Sequence, residues 1–167
     1  KRIAGDLNKH LLENKKPLDP DCYDISLLNL EGKVVASTDK DKIGSDKSSD
    51  DYFVEGKKGV YVKSVYHSET TGRDLIAVSV PILSMTTKEL QGVFVNSYEL
   101  RALNDITTNR KGMGQTGEVY IVDKNGYMIT ESRFIDNAIL NQRVATEPVR
   151  QFQNQKKDLT GIYPDYR

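Results

Sequence analysis

The segment Gly112-Met-Gly114-Gln-Thr-Gly117 has the G-x-G-x-x-G spacing with which a strand-to-helix turn cradles a pyrophosphate. That chemistry needs a strand feeding the loop and a helix leaving it, so that the phosphates meet free backbone N–H groups. Here the order is reversed, with a helix expected before the glycines and a strand, Glu118 to Asp123, after them. The segment therefore reads as a flexible joint between two modules. Asp39-Lys-Asp41-Lys-Ile-Gly44, with Asp50 in the place of the last ligand, has the start of a calcium loop. It lacks the bidentate glutamate, puts Ile43 at a ligand position and adds the opposing charges of Lys40 and Lys42, so a solvated loop is favoured. His10 and His67 have no nucleophile or carboxylate at motif spacing, and no H-E-x-x-H or G-x-S-x-G is present. Cys22 lies beside Asp21 and Asp24, whose charges disfavour a thiolate. A single cysteine forms neither an intrachain disulfide nor a zinc–thiolate set. An enzyme is the minority reading, and neither a metal nor a cofactor is expected.

Composition narrows the field further. The 167 residues include 24 basic and 24 acidic side chains, a net charge of zero, and so lack the basic footprint of a nucleic-acid binder. The longest apolar stretch, Leu75 to Leu83, is broken by Ser79 and Pro81 and is too short to cross a bilayer. Nine tyrosines and four phenylalanines argue for a folded chain. It begins at Lys1 with no methionine and no signal-like segment, and is read as a piece of something longer.

The elements that must position any site follow from periodicity. Ile3, Leu7 and Leu11 share one helical face, so residues 1–14 are expected to be a helix, stopped by Pro17 and Pro20. Ile25 to Leu30 and Lys33 to Ser37 read as strands around a Glu31-Gly32 turn. A polar loop, Asp39 to Asp51, leads to a short helix capped by Asp50 or Asp51 and carrying Tyr52, Phe53 and Val54 up to Gly56. Strands at Gly59 to Ser68, Asp74 to Leu83 and Leu90 to Tyr98, then a helix from Tyr98 to Asn109, complete an α+β unit with one antiparallel sheet.

The pattern then restarts. Ile25 to Thr38 aligns without a gap on Val119 to Ser132, with Gly32 on Gly126 at the turn. Either a hairpin-led module is repeated, which is the preferred reading, or two hairpins of one type match by chance. In the second copy Thr146-Glu147-Pro148 starts a helix with Val149 and Phe152 on one face, and Gly161-Ile-Tyr echoes Gly59-Val-Tyr. The sequence ends there, so this copy lacks its last strands. The expected divisions are 1–22, helix and connector; 23–110, a complete module; and 111–167, an incomplete one.

Alternation splits each strand of the first module into two faces. Ile76, Val78, Val80 and Ile82 form an apolar face opposite Ala77, Ser79 and Pro81. The third strand sets Tyr61, Lys63 and His67 against Ser64, Tyr66 and Ser68; the fifth sets Phe94, Asn96 and Tyr98 against Val93, Val95 and Ser97. One sheet face can bury against the N-terminal helix. The other, small and hydroxyl-bearing, either lines a pocket under Asp50 to Phe53 or simply faces solvent.

Asp51-Tyr-Phe, Gly59-Val-Tyr-Val, Tyr66-His-Ser-Glu-Thr-Thr-Gly72, Val80-Pro-Ile82, Gly92-Val-Phe-Val and above all Gly114 to Arg133 resemble the double Cache family, the PAS-like extracytoplasmic sensor domains of prokaryotic receptors. The resemblance runs over most of the chain, from about Lys1 to Arg167. It implies a long N-terminal helix, a membrane-distal PAS-like module with a central five-stranded antiparallel sheet, and a membrane-proximal module, here incomplete. It also implies a homodimeric receptor anchored by membrane helices outside this chain, with a histidine kinase foremost among the outputs. In the amino-acid-binding members, the aromatic before the third strand falls on Tyr52 and the basic residue on Asp50. The tyrosine of the third strand falls on Tyr66, the acid after it on Ser68, and the aspartate of the fifth strand on Ser97. With Asn96, these are the candidate ligand-binding residues. The changes at Asp50, Ser68 and Ser97 remove the base for a ligand carboxylate and the acids for an ammonium. A small neutral or weakly polar ligand is therefore expected rather than an α-amino acid. The competing class is an interaction module whose sheet faces a partner protein or a second copy.

Overall fold

The computed structural model describes residues 2–167, with side-chain environments from Gly5 onward, so the expected start at Lys1 and the contact of Ile3 lie outside the described residues. Two compact units divide between Glu99 and Leu100. In the first, helix α1 (Arg2–His10) continues through a π turn, Leu11–Lys15, and a 3-10 turn, Lys16–Leu18, where Pro17 sits. Strands β1 (Cys22–Leu28) and β2 (Val34–Ser37) follow, then helix α2 (Asp51–Gly56) and strands β3 (Tyr61–Ser68), β4 (Arg73–Leu83) and β5 (Leu90–Glu99). The five strands form one antiparallel sheet in the order β2-β1-β5-β4-β3. The architecture is α+β, as the periodicity requires.

Each face of the sheet has its own core. On one, Leu28, Val34, Ala77, Val93 and Val95 pack with Tyr52 and Phe53 of α2. On the other, Leu7 and Leu11 lie against Cys22, Ile25, Leu27, Ala36, Phe94 and Tyr98. The helix thus covers the β2-β1-β5 end of the sheet. The short connection from Leu18 to Cys22 keeps it over the strand it feeds, and Ile76, Val78, Val80 and Ile82 of β4 stay half-exposed.

Helix α2 approaches the opposite face at a distance that only glycine permits. A Cβ on Gly56 would lie 2.6 Å from Ser79 Oγ and 2.9 Å from both Ser79 Cβ and Val93 Cγ1. Ser79 and Val93 are fully buried, so neither can step aside.

The second unit contains α3 (Arg101–Thr107) and α4 (Glu147–Gln155) around a small core of Met128, Ala138 and Val144, flanked by Tyr120, Val122, Ile135, Val149 and Tyr166. The expected hairpin survives here as a turn with isolated bridges, Val122 to Met128 and Tyr127 to Arg143. No further strand extends its ladder among the described residues, and a lone hairpin is marginal in water. The turn itself repeats the main hydrogen bonds of that in the first unit. Gly32 and Gly126 have φ of +84° and +86°. Their N–H groups donate to the carbonyls of Asn29 and Asp123, each at 3.0 Å. The side chains of Asn29 and Asp123 accept from the N–H of Lys33 and Tyr127, each at 2.8 Å. The chain returns to the same place in both, where Lys47 N–H meets Gly32 O at 2.8 Å and Val144 N–H meets Gly126 O at 2.7 Å. A chance match of two hairpins does not extend to these returning segments, which lie beyond the aligned stretch. The likeness between the two copies thus extends over the turn and the segment that returns to it.

Gly56→Ala is expected to destabilise the first unit. Overpacking costs about 1–3 kcal/mol, against a helix-propensity gain of at most about 1 kcal/mol. A fall in Tm of roughly 5 °C should result. A Tm equal to that of the parent would mean that α2 is free to lift from the sheet.

Candidate ligand pocket

A cavity of about 270 Å³ opens on the α2 face, lined by Lys42, Lys47, Asp50, Tyr52, Lys63, Tyr66, His67, Ser68 and Glu69. Its floor is β3. The pairing of β3 with β4 is regular up to Lys63 opposite Ala77 and resumes at Tyr66 opposite Leu75, so three steps on β3 face two on β4. One extra residue in a strand changes the parity of every side chain beyond it. Lys63 and Tyr66, assigned to opposite faces by strict alternation, therefore both face α2.

Lys63 Nζ lies 2.9 Å from Asp50 Oδ1, 4.3 Å from the centre of the Tyr66 ring and 5.3 Å from that of Tyr52. The two rings are 6.3 Å apart and inclined at 47°. Asp50 stands at the N-cap of α2 but makes no capping bond with its side chain, which is turned to Lys63. Lys47 Nζ approaches the second oxygen of Asp50 at 3.9 Å. Burial, reinforced by the charge of Asp50, holds the Tyr52 phenol far above its ordinary range. Burial likewise pushes Tyr66 up to about 12, opposed by a hydrogen bond with Ser97 and supported by Asp24 and Asp50.

At the back of the cavity the loop between β2 and α2 is pinned by an ion pair. Lys42 Nζ sits 2.5 Å from Asp24 Oδ1, and the two side chains are 9% and 1% exposed. Ser26 Oγ donates to the other oxygen of Asp24 at 2.8 Å. Residues 39–51 are otherwise exposed or half-buried, as expected of a solvated loop, and Lys42 is the exception. Asp39 only caps a 3-10 turn, accepting from Asp41 N–H at 3.1 Å, while Lys42 is drawn inward because Asp24 would otherwise be buried alone.

Of the candidate residues, Asp50, Tyr52, Tyr66 and Ser68 come together at the cavity. Ser97 is buried against Tyr66, 2% exposed. Asn96 is not part of the site. It faces the α1 side, where its amide donates to the Tyr98 hydroxyl at 3.3 Å, which in turn donates to Asp19 at 2.7 Å. Adjacent strand residues point to opposite faces, so Asn96 and Ser97 cannot share one pocket. Lys63, Lys47 and Lys42 were missed. The bulge leaves no local signal, but an acid at the inward-facing position of Asp24 calls for a buried cation.

The other motifs carry no site. The glycine segment 112–117 lies inside the second unit rather than between modules, because the Arg133 guanidinium donates to the carbonyls of Gly117 at 2.6 Å and Gly114 at 3.0 Å. Burial, with Asp19 and Asp24 rather than Asp21, raises the Cys22 thiol to about 11. Among the described residues no group of His, Cys, Asp and Glu is arranged to hold a metal, and no helix is long and apolar enough to cross a membrane.

A five-stranded antiparallel sheet with a leading helix on one face and a short helix over a pocket on the other is a PAS-like fold. The chain belongs to the Cache domain family, whose model matches residues 2–164. No curated protein sequence matches it. Among solved structures it is similar to the ligand-binding domain of the Pseudomonas aeruginosa amino-acid chemoreceptor PctC in complex with GABA (14% identity, 87% of this chain and 76% of that one, TM-score 0.57). It is also similar to the sensor domain of the Vibrio cholerae histidine kinase DctB (16% identity, 93% and 55%, TM-score 0.58). The sensory domain of the Campylobacter jejuni chemoreceptor Tlp3 is a third (16% identity, 89% and 59%, TM-score 0.63). At these identities the likeness is one of fold.

Two outcomes are expected. Lys42→Met strands the Asp24 carboxylate and should cost about 3–5 kcal/mol in chemical denaturation, with much of the loss restored in Asp24→Asn/Lys42→Met. A cost below about 1 kcal/mol, the level of an exposed pair, would mean that Asp24 is solvated. Separately, the folded-state pKa of Tyr66 is raised from an ordinary value near 10 to about 12. Its contribution is thus fully present below pH 10 and lost as the pH rises through the folded value. The urea midpoint should fall over that window, and less so in Tyr66→Phe; parallel curves would contradict the assignment.

Proposed function

We propose that this chain is the extracytoplasmic ligand-sensing part of a transmembrane signalling receptor, with the α2-side pocket as the ligand site. In this reading residues 23–110 are the membrane-distal module and residues 111–167 the start of the membrane-proximal one. Asp50, Tyr52, Tyr66 and Ser68 contact the ligand, with Ser97 supporting Tyr66. The observation that carries the proposal is the cavity itself, with two largely buried phenols and an aspartate beneath a loop pinned by the buried Asp24–Lys42 pair. Charged and polar groups converging around two aromatic rings can fix the orientation of a small polar molecule. The receptor context, a homodimer with membrane helices outside this chain and a histidine kinase output, rests on family membership and on the likeness to the DctB sensor domain. A ligand acts here only through its different affinities for two receptor states.

A thermal-shift screen of small polar metabolites tests this. A ligand at a hundred times its Kd should add about 2.7 kcal/mol of stability. Tyr66→Ala should abolish the shift while keeping the circular dichroism of the parent. A shift that survives in Tyr66→Ala, or a screen in which no compound stabilises the parent, would remove the pocket from consideration.

A further inference from the structure

The pocket already holds a cation, and it is the protein's own. The Lys63 ammonium is held by the Asp50 carboxylate at 2.9 Å and by the Tyr66 and Tyr52 rings at 4.3 and 5.3 Å. Two aromatic faces and an acid are the groups with which a binding site grips an amine. The contacts draw on β3, α2 and the N-cap of α2, and Lys63 shares a face with Tyr66 only because of the bulge between them. Its side chain is 19% exposed and that of Asp50 27%, so the pair is largely shielded from water.

The geometry points to Lys63 as a tethered counter-ion that fills the ammonium cradle of this pocket and makes it select small organic anions without an amine. This rests on the proposed ligand pocket and specifies what enters it. About 270 Å³ remains open beside the lysine, room for a short-chain carboxylate. An incoming ammonium must first displace Lys63 from Asp50 and from both rings, exchanging one cation for another while stripping water from both. An incoming carboxylate meets Lys63 and Lys47, which share the single carboxylate of Asp50, and leaves the ring contacts intact. The base that the aligned positions lack is thus supplied from β3, and an anion is favoured over the neutral ligand expected from the sequence.

Matched pairs that differ only in an amine test this on the purified chain by thermal shift and calorimetry: acetate with glycine, propionate with β-alanine, and butyrate with γ-aminobutyrate. The unaminated member of a pair should bind the parent at least tenfold more tightly. In Lys63→Ala, n-butylammonium should raise the Tm saturably, replacing the missing side chain, with no effect on the parent. Should the alanine variant fail to fold, Lys63→Met keeps the stem between the rings, and its preference for the unaminated member should shrink at least tenfold. Preference of the parent for the aminated member, or no response of Lys63→Ala to n-butylammonium, overturns the assignment. If no compound of either series binds the parent while n-butylammonium rescues Lys63→Ala, the cradle stands. Anion selectivity then falls together with the ligand-pocket reading.

Discussion

The first unit is organised around one buried carboxylate. Asp24 lies in the second-to-centre strand, 1% exposed, and cannot remain charged there without a partner. Lys42 answers it from the long loop between β2 and α2. The loop is thereby fixed to the sheet eight residues before Asp50, which stands at the N-cap of α2 and faces the pocket. Replacing a buried ion pair with apolar side chains is often neutral or stabilising, so such a pair is a poor source of stability. Its effect here is positional. With Lys42 drawn in, and Gly44, Ser45 and Lys47 joined to Val34 and Gly32 through the backbone, the start of α2 falls where Tyr52 and Phe53 meet the sheet and Asp50 meets Lys63.

What the sequence disclosed and what it hid follow from the range of the forces involved. The strands are set by a period of two and the turns by local bonds, so both are legible within a few residues. The Asn29 and Asp123 turns form even where the ladder around the second is reduced to isolated bridges, because their hydrogen bonds span four residues and need no neighbouring strand. Faces are a longer-range property. The irregularity between Lys63 and Tyr66 is defined only against β4, and it brings to one face two side chains that strict alternation separates. Asn96 is a different kind of error, since alternation alone separates it from Ser97.

Lys42 and Lys63 show why lysines are hard to place from sequence. Lys42 sits among polar neighbours that read as solvated and Lys63 on a strand face with Tyr61 and His67, yet both are drawn inward by an acid distant in the chain. Asp24 shares a strand face with the buried Ser26 and Leu28, so alternation alone would have marked it as the acid in need of a partner. Asp50 was read as a lost base, although an acid in that place both removes one charge and recruits another.

The distribution of rigid and movable parts gives the pocket a direction of response. The sheet is closed by two cores, and α2 is seated against Ser79 and Val93 through Gly56, so neither strand nor helix body can yield cheaply. Asp50 is different. It is a quarter exposed, shares its oxygens between Lys47 and Lys63, and joins the end of the loop to the start of α2. A ligand that engages either lysine changes the pull on Asp50 while the Asp24–Lys42 anchor stays in place. In the proposed ligand site, the segment preceding α2 lies between that fixed anchor and the seated helix, and a ligand bound there would shift an equilibrium only through unequal affinity for two states.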